Sequence, residues 1–376
     1  MGSGPTSRWF HGGVLDPYLN IVEKHRYSWV WEKPVLIWEG EDESITIVTY
    51  RDLHDAVERC VCSLRGLGVG RGDWVIFYTP PIIESFILML ASVKIGAPFE
   101  PVFTGFGYGE LARRIMNRNP KVIVVVDGFF RRGKVINARE ILEKALNIVS
   151  LRPKIIVIER LGLHIKSSDI PYSSLLRSST KCMGEIPPLH SEDPLFGLHI
   201  AYEDDFRPLT HSIGGFLVQT YATSRWIGIR PHDTYFCTVW PGWITGITYN
   251  LFGPLMIGAT AVLYEGGPDW PSWGRWLEII ERYAVTLFLT TGGALRMLSK
   301  NLSLNEIRRY NIDTLKAVLV TAEPLEASTW YWVYRYVGTG LTPTIDSIPE
   351  TFTGRIPVVN MYIQSELATF VTCLLY

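Results

Sequence analysis

The sequence predicts an α/β protein built on two mainly parallel sheets flanked by helices, and three observations point there. From Asp73 onward, short β-branched runs alternate with amphipathic segments. Runs such as VIVVV (122–126) and AVLV (317–320) are apolar at every position, as strands covered on both faces by crossover helices must be. Between Ser167 and Pro188 the stretch SSDIPYSSLLRSSTKCMGEIPP is rich in Ser and Pro and has no clean period, so it reads as a surface connection between two such series. The expected organisation is a first α/β subdomain with an N-terminal extension over 1–190 and a second over 191–376.

The elements follow in order. DWVIFY is a short buried strand, and IIESFILMLASVKIG a helix with Ile83, Phe86, Ile87 and Leu90 on one face. APFEPVF is a strand, GELARRIMNRN a helix ended by Pro120, KVIVVV a strand and NAREILEKALNIV a helix. FGLHIAYEDDFRPLTHS (196–212) starts like a strand and runs into a loop holding Glu203, Asp204 and Asp205, before the helix GGFLVQTYATSRW. The second series comprises TYFCTV, the turn PGWITG, ATAVLYEG, the helix SWGRWLEIIERY, VTLFL, GGALRMLSK, LKAVLV, the helix EASTWYWVYRYV, and IPVVNMY.

Composition narrows the function. In 376 residues, 36 basic side chains meet 37 acidic ones, so no global field draws the chain to nucleic acid or an anionic membrane. The uncharged stretch from Thr234 to Tyr264 is cut by Pro241, Gly242, Gly246, Gly253, Pro254 and Gly258, which argues against a membrane span. Five cysteines without a zinc spacing read as reduced, mostly buried thiols. With no signal-peptide pattern at the start, a cytoplasmic protein is expected. The apolar run FVTCLLY at the end of the sequence suggests a chain cut short.

One glycine cluster is a false lead. Gly105, Gly107 and Gly109 follow a strand and open a helix, with Asp127 about twenty residues on, the outline of a dinucleotide-binding fingerprint. The third glycine of that pattern falls on Glu110, a carboxylate where a pyrophosphate would sit, so the cluster reads as a flexible loop.

Collinear stretches carry a more specific signal. RWFHGGVLDPYLNIVEKH, LIWEGED, TYRDLHDAVERCVCSLRGLGVGRGDWVIFYTP, DGFFRRGKVI, EDPLFGL, PGWITGITYNLFGPLMIGATAVLYEGGPDWPSWGRWLEIIERY and TAEPL span Trp9 to about Glu366. Together they resemble the acetyl-CoA synthetase branch of the AMP-forming, adenylate-forming acid–thiol ligases. The resemblance implies the large N-terminal domain of those enzymes, which join a carboxylate to the α-phosphate of ATP and then pass the acyl group to CoA. It implies an acyl pocket at Trp243, Ile244, Thr245 and Thr321, with Ile363 where acetate-specific members carry a pocket-closing indole. A deeper pocket for a longer acid follows. It further implies nucleotide contacts at Ala322, Glu323, Pro324, Asn360, Gln364 and Ser365, with Ala322 in place of a family glycine. Glu366 falls on the Mg²⁺ ligand, and Arg131, Arg132 and Lys134 match a basic turn that meets CoA, where charge-assisted pairing suits a phosphate.

The 196–212 loop departs from this pattern. There the family carries a Ser/Gly/Thr-rich phosphate cradle followed by a His that corresponds to His211. This chain keeps neither the glycines nor the lysines. One like-charge pair about 6 Å apart costs roughly 3 kcal/mol at an effective dielectric near 20, and three acids would face a polyphosphate. The expectation is a small-acid, acyl-adenylate or CoA-binding domain in which ATP and Mg²⁺ use is impaired and no residue is assigned as catalytic. The resemblance implies that a lysine-bearing lid domain follows, so either this sequence is a fragment or a separate chain supplies the lid. A non-catalytic scaffold, using the aromatic helix around Trp330, Tyr331, Trp332, Tyr334 and Tyr336, is the remaining alternative.

Overall fold

A computed structural model describes residues 9–177, 186, 188–202, 205–337 and 356–374. Local chemistry explains its elements. Helix Tyr50–Gly66 opens with a capping box, in which the Thr49 hydroxyl accepts from the Asp52 N–H and the Asp52 carboxylate accepts from the Thr49 N–H. It then buries Leu53, Val57, Cys60, Val61 and Leu64 along one stripe. Helix Ile83–Ile95 is buried almost all round and stops at Gly96, whose φ of 79° is the left-handed cap that glycine adopts without strain.

The first sheet has seven strands in the order Ile170–Pro171, Lys154–Ile158, Val122–Val126, Val75–Tyr78, Phe99–Pro101, Pro194–Tyr202 and Asp205–Ser212. All neighbours are parallel except the last pair. The second has eight, in the order Phe370–Leu374, Val358–Ile363, Ala317–Thr321, Leu287–Thr291, Thr234–Cys237, Thr260–Tyr264, Pro34–Glu39 and Ile45–Thr49. It is parallel in its centre and antiparallel at both edges. The expected α/β class with two helix-flanked sheets is therefore present. The sheets exchange strands across residue 190: Pro194–Ser212 stays with the first, and the N-terminal strands 34–49 join the second.

Two expectations change. The 196–212 stretch is not a strand followed by a loop but an antiparallel hairpin, paired from Phe196↔His211 to Tyr202↔Asp205. The Arg118 guanidinium donates to a carbonyl on each of its strands, at Leu198 and Leu209, and the acids Glu203 and Asp204 lie outside the described residues. Cys60 and Cys237 are free and buried, but Cys62 forms a disulfide. Cys62, two positions along the same helix from Cys60, is half-buried. In the aromatic helix, Trp330, Trp332, Tyr334 and Tyr336 pack against a hydrophobic cluster and only Tyr331 is largely exposed. No helix among the described residues is long and apolar enough to cross a membrane.

Candidate functional site

The turn Pro241–Gly246 leaves the second sheet and reaches toward the first. A Cβ on Gly242 would sit 2.5 Å from the backbone nitrogen of Phe103, and one on Gly246 would sit 2.0 Å from the carbonyl oxygen of Trp240. Both positions need glycine because backbone passes against backbone. The Trp243 ring, half exposed, packs at 5.7 Å from Phe103 and 5.9 Å from Phe106. Trp243 and Ile244 then line a cavity of about 430 Å³ with Ser365, Glu366 and the hairpin residues Leu198 to Ala201. Trp243 also borders a second cavity of about 200 Å³, which holds Arg131, Trp240, Gly267 and Thr291. Thr245 is buried in the short helix that follows.

At the end of strand Ala317–Thr321, the Thr321 hydroxyl is buried without a hydrogen-bond partner among the described residues. Ala322 follows with φ 76°, a left-handed conformation that strains any residue with a Cβ. The backbone thus keeps the shape of the glycine expected there. Glu323 and Pro324 are exposed, and Arg296 holds this loop through Glu323 at 3.7 Å and Glu326 at 2.9 Å.

In the next strand Asn360 and Ile363 are half-buried. Ile363 packs against two hydrophobic clusters, so its small size is partly taken up by core contacts. Gln364 donates from Nε2 to the Tyr362 hydroxyl. The Ser365 carbonyl accepts a 2.8 Å bond from Nε2 of His211, which joins this motif to the hairpin. Burial holds the His211 imidazole below its ordinary pKa, so it stays neutral. Glu366 is exposed at the cavity mouth.

The basic turn joins strand Phe129–Arg131 to strand Lys134–Ile136. The backbone N–H groups of Arg132 and Gly133 donate to the two oxygens of buried Glu41 at 3.0 and 3.1 Å. Arg132 pairs with Asp269 at 2.8 Å, Arg131 lies 5.4 Å from the centre of the Trp240 ring, and Lys134 is exposed. The three cations therefore have different settings: Arg131 faces the smaller cavity, Arg132 is engaged with the loop opposite, and Lys134 is open to solvent.

A buried ionic group missed in the sequence holds the hairpin. Glu100, on strand Phe99–Pro101, accepts from Arg118 Nε at 2.5 Å and from His199 Nδ1 at 2.6 Å, with Arg114 at 3.8 Å. Asn117 donates to His199 Nε2 at 3.0 Å, which fixes the tautomer with its proton on Nδ1. Arg118 also donates to the carbonyls of Leu198 and Leu209 at 3.2 and 2.7 Å, one on each strand of the hairpin. Helix Tyr108–Arg118 thus clamps both strands. The signal was a lone acid inside the apolar run APFEPVF, since a carboxylate is buried only with partners.

The comparisons with known proteins follow this geometry. The family model described as "AMP-binding enzyme" matches residues 23–196 and 208–374, most of the chain. The chain belongs to this family. The match lapses across 197–207, the same residues that form the upper part of the clamped hairpin. This AMP-binding family member is 37% identical over 357 residues to an acetyl-coenzyme A synthetase of Methanothrix thermoacetophila, covering 93% of this chain and 54% of the relative. It is 36% identical over 349 residues to one from Pyrobaculum aerophilum, covering 89% and 52%. The fold matches acetoacetyl-CoA synthetase from Streptomyces lividans with a TM-score of 0.86 at 22% identity, over 99% of this chain and 55% of that one. The chain spans about half the length of the relatives it matches.

The family implies ATP or AMP, Mg²⁺ and CoA, and the residues fit these groups unevenly. The unpartnered Thr321 hydroxyl, next to the Ala322–Pro324 loop, suits a polar ligand atom. On the phosphate side, Arg114 and Arg118 are paired with Glu110 and Glu100, and Glu366 stands at the cavity mouth. Among the described residues, the group of side chains with metal-ligand proximity is Glu23, His54 and Glu58, far from this cleft in the chain. The Lys94 ammonium already bonds both of its carboxylates and takes the place of a cation.

Proposed function

We propose that this chain is an acyl-CoA synthetase-like AMP-binding domain that holds a small carboxylic acid, an acyl-adenylate or CoA, and that does not by itself activate an acid with ATP. The observation that carries the reading is the hairpin across 194–212, clamped through Glu100 and Arg118, at the position where the resemblance puts a glycine-rich phosphate cradle. A cradle binds phosphate through backbone N–H groups that curl around the anion, whereas an extended hairpin gives every second N–H to its partner strand and points the rest along the sheet edge. The acyl side would be Trp243, Ile244, Thr245, Thr321 and Ile363. The nucleoside side would be Ala322, Glu323, Pro324, Asn360, Gln364 and Ser365, and CoA would meet Arg131, Arg132 and Lys134. We place the protein in the cytoplasm, where these ligands occur.

Calorimetry with ATP·Mg²⁺, AMP and CoA tests the reading. AMP or CoA binding with weak or absent ATP binding is the expected result. Tight ATP binding together with pyrophosphate exchange would sink it. A second reading is a working acyl-CoA ligase completed by a separate lid chain. Addition of such a lid chain would then restore exchange. Loss of all three ligands would leave the scaffold.

A further inference from the structure

A cavity larger than either of those that Trp243 borders lies away from this cleft. It is an open groove of about 570 Å³ between the N-terminal segment and helix Ile213–Trp226, lined by Phe10, Leu217, Val218, Tyr221, Ala222 and Met256 among others. Phe10 and Tyr221 leave 58% and 42% of their surface to solvent, more apolar exposure than a groove of no use tends to keep. Among its lining residues one is charged, Lys24, whose ammonium stands 4.9 Å from the centre of the Tyr221 ring. No carboxylate among the described residues pairs with Lys24, and Glu23, its neighbour in sequence, is taken up by Lys94. The volume falls in the range of small-molecule sites. An apolar trough with a single unmatched cation is complementary to an apolar tail ending in a single anion.

We propose that this groove binds the aliphatic tail of a single-chain carboxylate, with Lys24 meeting the carboxylate. The tail lies along Leu217, Val218 and Met256, and the charged head stays at the rim, where Lys24 can reach it while remaining partly hydrated. The site is independent of the acyl and nucleotide cleft, so it does not stand or fall with the function proposed above.

Decanoate titrated into the full chain, followed by calorimetry, is the test, with decanol and decyltrimethylammonium as uncharged and cationic controls. Decanoate should bind most tightly and the cation least. Lys24→Met should weaken decanoate by roughly tenfold, the scale of one charge-assisted contact, and leave decanol unchanged. Ala222→Trp, a substitution on an exposed helix position that folding tolerates, should fill the groove and abolish both. Trp243→Glu places a negative charge in the separate cleft and should leave decanoate binding at the groove unchanged, whatever it does to acids held in the cleft. Equal binding of all three probes, no effect of Lys24→Met, or loss of binding in Trp243→Glu with retention in Ala222→Trp would each overturn the proposal.

Discussion

The turn Pro241–Gly246 and the hairpin Pro194–Ser212 face the same cavity, yet they are shaped by opposite means. The turn takes its form from missing side chains: Gly242 and Gly246 let two segments of backbone touch. The hairpin takes its form from side chains that are present, with Glu100 held between the guanidinium groups of Arg118 and Arg114 and the Nδ1–H of His199. A wall defined by close backbone contact tolerates almost no change, and in this chain it keeps the Trp-Ile-Thr-Gly pattern of the resemblance. A wall defined by side chains can be rebuilt with other side chains, and across 197–207 the family match lapses.

The comparison is most easily broken at Glu100. Glu100→Ala leaves Arg118 and His199 buried without their acceptor, and removal of one member of a buried ionic group costs about 3–5 kcal/mol. Urea unfolding should register that loss, and trypsin should cut the hairpin faster. A loss under about 1 kcal/mol would mean that the clamp is not what holds the hairpin. Next comes Gly246→Ala. A methyl group 2.0 Å from the Trp240 oxygen must displace backbone, and overpacking of this kind costs about 1–3 kcal/mol. Trp243 fluorescence should shift with it, because the turn carries that ring. An unchanged melting curve would show that the turn can relax at no cost.

Much of the fold was legible because it rests on local periodicity. Helix Ile83–Ile95 and strand Val122–Val126 sit where their apolar runs place them. The hairpin was not legible, since its pairing depends on contacts with Arg118 and Glu100, roughly eighty to a hundred positions earlier. For the same reason the division of strands between sheets escaped a reading along the chain: Pro34–Glu39 finds its neighbour at Thr260–Tyr264. In the candidate site, motif matching picked out residues that do converge, such as Trp243, Ile244, Ser365 and Glu366. It passed over Glu100 and His199 because no motif contains them.

A gentler test asks whether the shape kept at Ala322 is itself under strain. A non-glycine residue at φ 76° pays for its Cβ, so Ala322→Gly should relieve that strain. The gain is reduced by the larger entropy glycine loses on folding, which leaves a net stabilisation of up to about 1 kcal/mol by thermal or denaturant melts. Destabilisation would mean that the Ala322 methyl group makes contacts worth more than the strain.

The smallest effect should come from Arg132→Ala. Its pair with Asp269 is short, but the Arg132 side chain is 59% exposed, and exposed ion pairs contribute about 0–1 kcal/mol and weaken with salt. The turn itself is held by backbone N–H bonds to Glu41, which this substitution leaves in place. Stability should therefore change by less than about 0.5 kcal/mol, and the difference from the wild type should vanish in 1 M salt. The same variant should weaken CoA if the basic turn meets its phosphates, so a stability change near zero with a drop in CoA affinity separates ligand contact from fold. A large stability loss would instead make this cation the counterpart of Arg118, and the contrast between the two walls would then extend to the basic turn as well.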